Sequence, residues 1–137
     1  MAKTSAPTAP RPTFRELGFG QKLGWGVALL FALIDQYLGS AHRDAPAAGC
    51  AVTALAADVA RGSTRSRSAY TRQVQAYVTL FAGLLGRVGT ARTRHVEAIV
   101  AWSTLVGALS IARAVNDEAL ARDILQIAAD SLKSQLR

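Results

Sequence analysis

From Val96 to Val115 the chain carries only two charged residues, Glu97 and Arg113. Val96, Ile99, Val100, Trp102, Leu105, Val106, Leu109, Ile111 and Val115 surround nearly the whole circumference of the helix that this stretch, extended back to about Thr93, is expected to form. A helix apolar on all sides is stable in water only when it is covered from more than one direction. The same helix carries Ser103, Gly107, Ser110 and Ala114 on one strip, where small side chains let a second helix approach closely. Glycine inside a helix costs about 1 kcal/mol relative to alanine, so Gly107 calls for a packing reason.

The rest of the chain supplies helices to do the covering. Leu30, Leu33, Ile34, Tyr37 and Leu38 recur at helical spacing after Val27, and Gly39 with the polar run Ser40 to Asp44 and then Pro46 should end that element. An alanine-rich stretch, Cys50 to Arg61, reads as a short, largely buried helix closed by Gly62. Hydroxyl side chains between Ser63 and Arg67 offer N-caps for the next helix. Its stripe is Tyr70, Val74, Tyr77, Phe81, Leu84 and Val88, spaced four, three, four, three, four. The last helix opens on Asn116-Asp117-Glu118 and closes on Lys133 and Arg137, which complements the helix dipole at both ends. One row on it is Leu120, Ile124, Ile127 and Ser131, beside a second row of Leu125, Ala128 and Leu132. The expected fold is all-α, an antiparallel bundle of about five helices over residues 27–137. A Pro- and Gly-rich segment, residues 1–26, precedes it and reads as a flexible tail. Two consecutive over-apolar helices at the C-terminus point to a helix pair completed by a second copy of the chain.

A length of 137 residues suits one domain, and a hydrophobic fraction of 50% is well above that of a disordered chain. The single cysteine, Cys50, precludes an internal disulfide, so nothing requires an oxidising compartment and a cytoplasmic location is expected. The net charge of +7 gathers at Arg61, Arg65, Arg67 and Arg72 and again at Arg87, Arg92 and Arg94. With no recognition helix, zinc finger or aromatic-interleaved platform, this reads as a solvated arginine surface rather than a nucleic-acid site. His42 and His95 have no Cys or His partner at ligand spacing, and no nucleophile–base set or phosphate loop is present. The expectation is a non-enzymatic protein with no metal or cofactor. Aromatic residues are the candidates for ligand contact: Tyr77 and Phe81 one turn apart, Trp102 on the apolar helix, and Trp25, Phe31 and Tyr37 as a second wall. Plain core packing is the competing explanation for each.

Four stretches taken in order resemble the C-terminal, effector-binding and dimerisation domain of TetR-family transcription regulators. They are Ile34-Asp-Gln-Tyr-Leu-Gly-Ser-Ala-His-Arg-Asp44, Gly49-Cys50 leading into Ala54-Leu-Ala-Ala-Asp-Val-Ala-Arg61, Trp102 through Val115, and Asp117-Glu-Ala-Leu-Ala-Arg-Asp-Ile-Leu125. The resemblance spans about residues 27–136. It implies a homodimer through the last two helices, with Ser103, Gly107, Ser110, Ala114, Leu120, Ile124 and Ile127 in the interface. It also implies a pocket for a small apolar effector, with Phe31, Tyr37, Tyr77, Phe81 and Trp102 as lining residues. In the family, effector binding shifts two helix-turn-helix heads on operator DNA. The stretch from Met1 to Gly26 cannot form such a head, so sequence-specific DNA binding is not expected of this chain alone.

Two other classes remain open at the level of sequence. Lys3, Arg11, Arg15 and Lys22 before the apolar run Leu23 to Ile34, with Gly39-Ser-Ala41 as a cleavage-like site, imitate an export signal. That run is too short to span a bilayer, and no membrane partner is expected. A helical interaction module without a ligand is the other.

Overall fold

The computed structural model describes residues 19–85 and 89–136. They form six α-helices and a short 3-10 turn, with no strand among the described residues: α1 (Phe19–Tyr37), α2 (Ser40–Arg43), the turn Pro46–Ala48, α3 (Ala51–Ala60), α4 (Thr64–Leu84), α5 (Ala91–Ala114) and α6 (Glu118–Gln135). The chain is an all-α bundle. Five of the helices are long, as the periodicity requires, and α2 is a single extra turn.

The apolar helix α5 sits at the centre. It touches α2, α3, α4 and α6, and Ala98, Ala101, Trp102, Leu105, Ala108, Leu109 and Ala112 are buried on its inner side. Alanines alternate with larger residues there, which brings neighbouring helices close while Leu105 and Leu109 fill the gaps between them. Leu30 and Ile34 of α1, Phe81 of α4 and Leu132 of α6 complete the fully enclosed core. By length and composition alone α5 could cross a membrane; here its inner side is the core of the bundle.

Local chemistry fixes where the helices start. Ser63 Oγ accepts the Ser66 N–H at 3.2 Å, and Thr90 Oγ1 accepts the Thr93 N–H at 3.1 Å. Asp117 Oδ1 accepts from Ala119 and Leu120, at 2.9 and 3.1 Å. Each cap satisfies orphan donors of a first turn, a contribution of about 1 kcal/mol apiece. Gly89, with φ of 73°, makes the left-handed step into α5 that a side chain would strain.

Three expectations need correction. Helix α1 begins at Phe19, not near Val27, so residues 19–26 are helical rather than part of a flexible tail. One reason lies at Gly26, where a β-carbon would come within 2.7 Å of the Leu84 carbonyl oxygen. The glycine that weakens the helix locally is what lets α1 cross α4 closely. Secondly, Ser40–Arg43, within the polar run expected to end the first helix, is itself a helical turn. Thirdly, α3 is not largely buried: Val52 alone is enclosed, and Leu55 is exposed on its outer side. Alanine looks apolar in a pattern, yet its burial yields too little area to force a helix inward. The Pro-rich stretch Met1 to Gly18, and Arg87 and Val88, lie outside the described residues.

Candidate functional site

The aromatic stripe of α4 meets α5 and the end of α1 around a pocket of about 590 Å3. Its walls come from Leu33, Gln36 and Tyr37 of α1, His42 of α2, Cys50 before α3, Tyr77, Leu80 and Phe81 of α4, and Trp102 of α5. Spacings of three and four on α4 place Tyr77, Leu80 and Phe81 on adjoining strips, and the crossing of α4 on α5 brings them to Trp102. Tyr77 stacks on Trp102 with centroids 4.2 Å apart and planes 19° from parallel. Phe81 and Tyr37 meet the same indole edge-on, at 5.6 and 5.7 Å. Offset-stacked and edge-to-face contacts are the favoured aromatic geometries, each contributing about 0.5–1.5 kcal/mol beyond area burial.

Of the five residues expected to line a pocket, Tyr37, Tyr77, Phe81 and Trp102 are brought together. Phe31 is not among the lining residues; it is half-buried against the core from α1. Trp25, expected on the same wall, is 60% exposed and also stands outside the pocket.

The polar groups differ from expectation too. Tyr37 lines the pocket as expected, but its hydroxyl is 2.7 Å from Thr53 Oγ1, pinning α3 to α1. Burial holds that phenol protonated well above its ordinary value of 10.0, partly offset by the Thr53 hydrogen bond. Tyr70 does similar work, donating to the Val52 carbonyl at 2.9 Å, and burial raises its pKa as well. What remains for the pocket is His42, Gln36, the Cys50 thiol and the Tyr77 phenol. The His42 Nδ1 lies 2.7 Å from the Tyr37 carbonyl oxygen. A carbonyl only accepts, so Nδ1 carries the hydrogen and Nε2 of the neutral ring keeps its lone pair.

The wall containing His42 is anchored to the core by Arg113, one of the two charges in the apolar stretch Val96 to Val115. Its Nε donates to the Arg43 carbonyl at 3.0 Å and its Nη2 to the His42 carbonyl at 2.6 Å. Gly49 makes room for this: a β-carbon there would meet Arg113 Nη2 at 2.7 Å and His42 Nε2 at 3.3 Å. Arg43 in turn forks between Asp44, at 2.6 Å, and Glu118 of the first turn of α6, at 3.0 Å. One connected set of charge-assisted contacts therefore runs from the pocket wall to the α5–α6 corner. Lys133 pairs with Asp35, tying the far end of α6 to α1. By sequence His42 is set aside for want of a ligand partner, and Gln36 and the carbonyl-binding role of Arg113 go unread. The signal for Arg113 was there, the one cation between Val96 and Val115, which has to find acceptors; for Gln36 there was none.

The second feature is the outer face of α5 and α6. Ten large hydrophobic residues are exposed among those described, and six of them, Val96, Ile99, Val100, Ile111, Leu120 and Ile127, lie on these two helices. Ser103 and Ala114 are exposed on the same side, and Gly107, Ser110 and Ile124 are half-buried. Among the described residues nothing lies within 4 Å of where a β-carbon at Gly107 would stand, so the glycine faces open space. The Ser110 hydroxyl folds back onto the Val106 carbonyl at 2.8 Å, leaving a smooth, small-residue strip.

No family model, curated protein or solved structure matches the chain.

Proposed function

We propose that the chain is a small-molecule sensing and pairing module of the kind found in the C-terminal half of TetR-family regulators. In this reading it is a cytoplasmic homodimer joined through α5 and α6, with an apolar effector held between α1, α4 and α5. The observation that carries the reading is the convergence of Tyr37, Tyr77, Phe81 and Trp102 on one pocket of about 590 Å3. Clefts of about 300–1,000 Å3 with apolar walls and a few polar groups are typical of small-molecule sites. The apolar outer face of α5 and α6 supports the pairing half, because a patch of that kind on a soluble protein marks a contact surface. Its occupant is a second copy of the chain, since antiparallel neighbouring helices with matched small-residue strips form a self-complementary four-helix bundle across a two-fold axis. The Arg113 and Arg43–Glu118 contacts offer a route by which a displaced pocket wall reaches the paired helices.

A reaction is not part of the proposal, and neither is sequence-specific DNA contact by helices α1 to α6. Thermal-shift screening of small aromatic and aliphatic compounds, with sedimentation of the same samples, tests it. A ligand that binds the folded state raises the melting temperature with the logarithm of its concentration. The reading requires a dimer at micromolar concentration and at least one compound that stabilises it saturably. A monomer that no compound stabilises would falsify it.

A further inference from the structure

The chemistry of the lining decides what the pocket accepts, and this inference rests on the small-molecule reading above. Its rings are flat and already arranged in stacked and edge-on pairs, geometry that accepts another planar ring better than a branched aliphatic skeleton. Among the described residues no Asp, Glu, Lys or Arg lines it. The Arg113 guanidinium lies close to Gly49, and two of its donors are committed to the His42 and Arg43 carbonyls. A cationic ligand would meet that positive charge with no carboxylate to offset its lost hydration, and an anion would find no exposed cation to pair with. Each therefore favours the neutral form of a ligand.

Among the polar groups, His42 Nε2 is the defined acceptor. Its partner nitrogen is fixed as a donor by the Tyr37 carbonyl, and Nε2 receives no hydrogen bond among the described residues. At Gly49, another lining residue, a β-carbon would stand 3.3 Å from that nitrogen, so the glycine avoids a tight contact on it. We propose that the pocket binds an uncharged planar aromatic compound bearing an O–H or N–H donor, its ring packed against Tyr37, Tyr77 and Trp102 and its donor directed at His42 Nε2.

A matched naphthalene series tests this by titration calorimetry on the whole chain at neutral pH: 2-naphthol, 2-methoxynaphthalene, 2-naphthoate, trimethyl(2-naphthyl)ammonium and decahydro-2-naphthol. The alkylation rate of Cys50, the single thiol and a lining residue, reports whether each compound occupies this pocket. 2-Naphthol is expected to bind most tightly and to slow alkylation. O-methylation should weaken binding roughly fivefold, the usual scale of one neutral hydrogen bond. In the His42→Phe variant that difference should vanish while ring binding persists, and Tyr77→Leu should weaken both compounds alike. Equal binding of 2-naphthol and its methyl ether to the unaltered protein overturns the role of His42 without needing any variant to fold. Tighter binding of either ion or of the saturated alcohol, with Cys50 protected, overturns the ligand class and leaves the sensing pocket standing. Failure of all five to bind or to protect Cys50 removes the inference and the small-molecule reading together.

Discussion

Replacing Gly107 with leucine separates the fold from the pairing of its copies. Within one chain the substitution has room, because none of the described residues stands within 4 Å of the β-carbon position. It also removes a helix-interior glycine, which should stabilise the isolated chain by about 0.8 kcal/mol. In a chain of this length that raises the melting temperature by about 3 °C. Between chains the same side chain fills the strip that lets two α5 helices approach. Overpacking a close contact costs about 1–3 kcal/mol, and a two-fold pair carries the substitution twice, so the cost is about 2–6 kcal/mol. At 1.4 kcal/mol per tenfold, dimerisation should weaken by roughly 30-fold to more than 10,000-fold. Sedimentation equilibrium over a range of concentrations measures this, with urea unfolding of the dilute monomer as the control. The expected result is a folded, slightly stabilised monomer. A Gly107→Leu protein with the dissociation constant of the unaltered chain refutes the placement of Gly107 between paired helices.

Ile127, the most exposed large hydrophobic residue described, at 68%, should behave in parallel: Ile127→Glu leaves urea stability within about 0.5 kcal/mol but abolishes the dimer in sedimentation. Arg113→Met keeps the apolar stem and orphans the His42 and Arg43 carbonyls, so unfolding free energy in urea should fall by about 2–3 kcal/mol. Stability should be flat towards pH 10 and decline above it. The pKa values of Tyr37 and Tyr70 are raised in the folded chain, so the folded state holds their protons more firmly, and that contribution is lost as pH climbs past 10.0 through the raised values. Tyrosinate absorbance should show these two phenols ionising late, and release at the ordinary value would contradict their burial. On DNA columns the chain should elute at modest salt with no preference among sequences, and sequence-selective retention would overturn the solvated-arginine reading.

Much of the architecture was legible because helical periodicity reports directly on burial. The Leu30–Ile34–Leu38 row is buried, the α4 stripe from Tyr70 to Leu84 packs on the core, and the inner side of α5 is enclosed while Val96, Ile99, Val100 and Ile111 stay exposed. Reading failed where packing depends on distance rather than pattern. Gly26 looked like a breaker and is a close-approach position against Leu84. The alanines of α3 looked like core and lie mostly exposed. The pocket was half legible: four aromatic residues converge because two stripes cross, but Phe31 points its burial elsewhere. Its polar side was not legible at all. Which groups remain for a ligand depends on Tyr37 being bound to Thr53 and on His42 being seated on the Tyr37 carbonyl, contacts between residues that no spacing rule connects.

The indole of Trp102 lines the aromatic pocket and is placed to report the uptake of a small molecule. Trp25, the other tryptophan, stands outside the pocket, so a Trp25→Phe protein leaves one indole N–H resonance in the NMR spectrum. Compounds that raise the melting temperature should shift that resonance saturably, along the same concentration curve, and Tyr77→Leu should weaken both effects together. Stabilising compounds that leave the Trp102 indole unmoved would place their binding elsewhere and contradict the account.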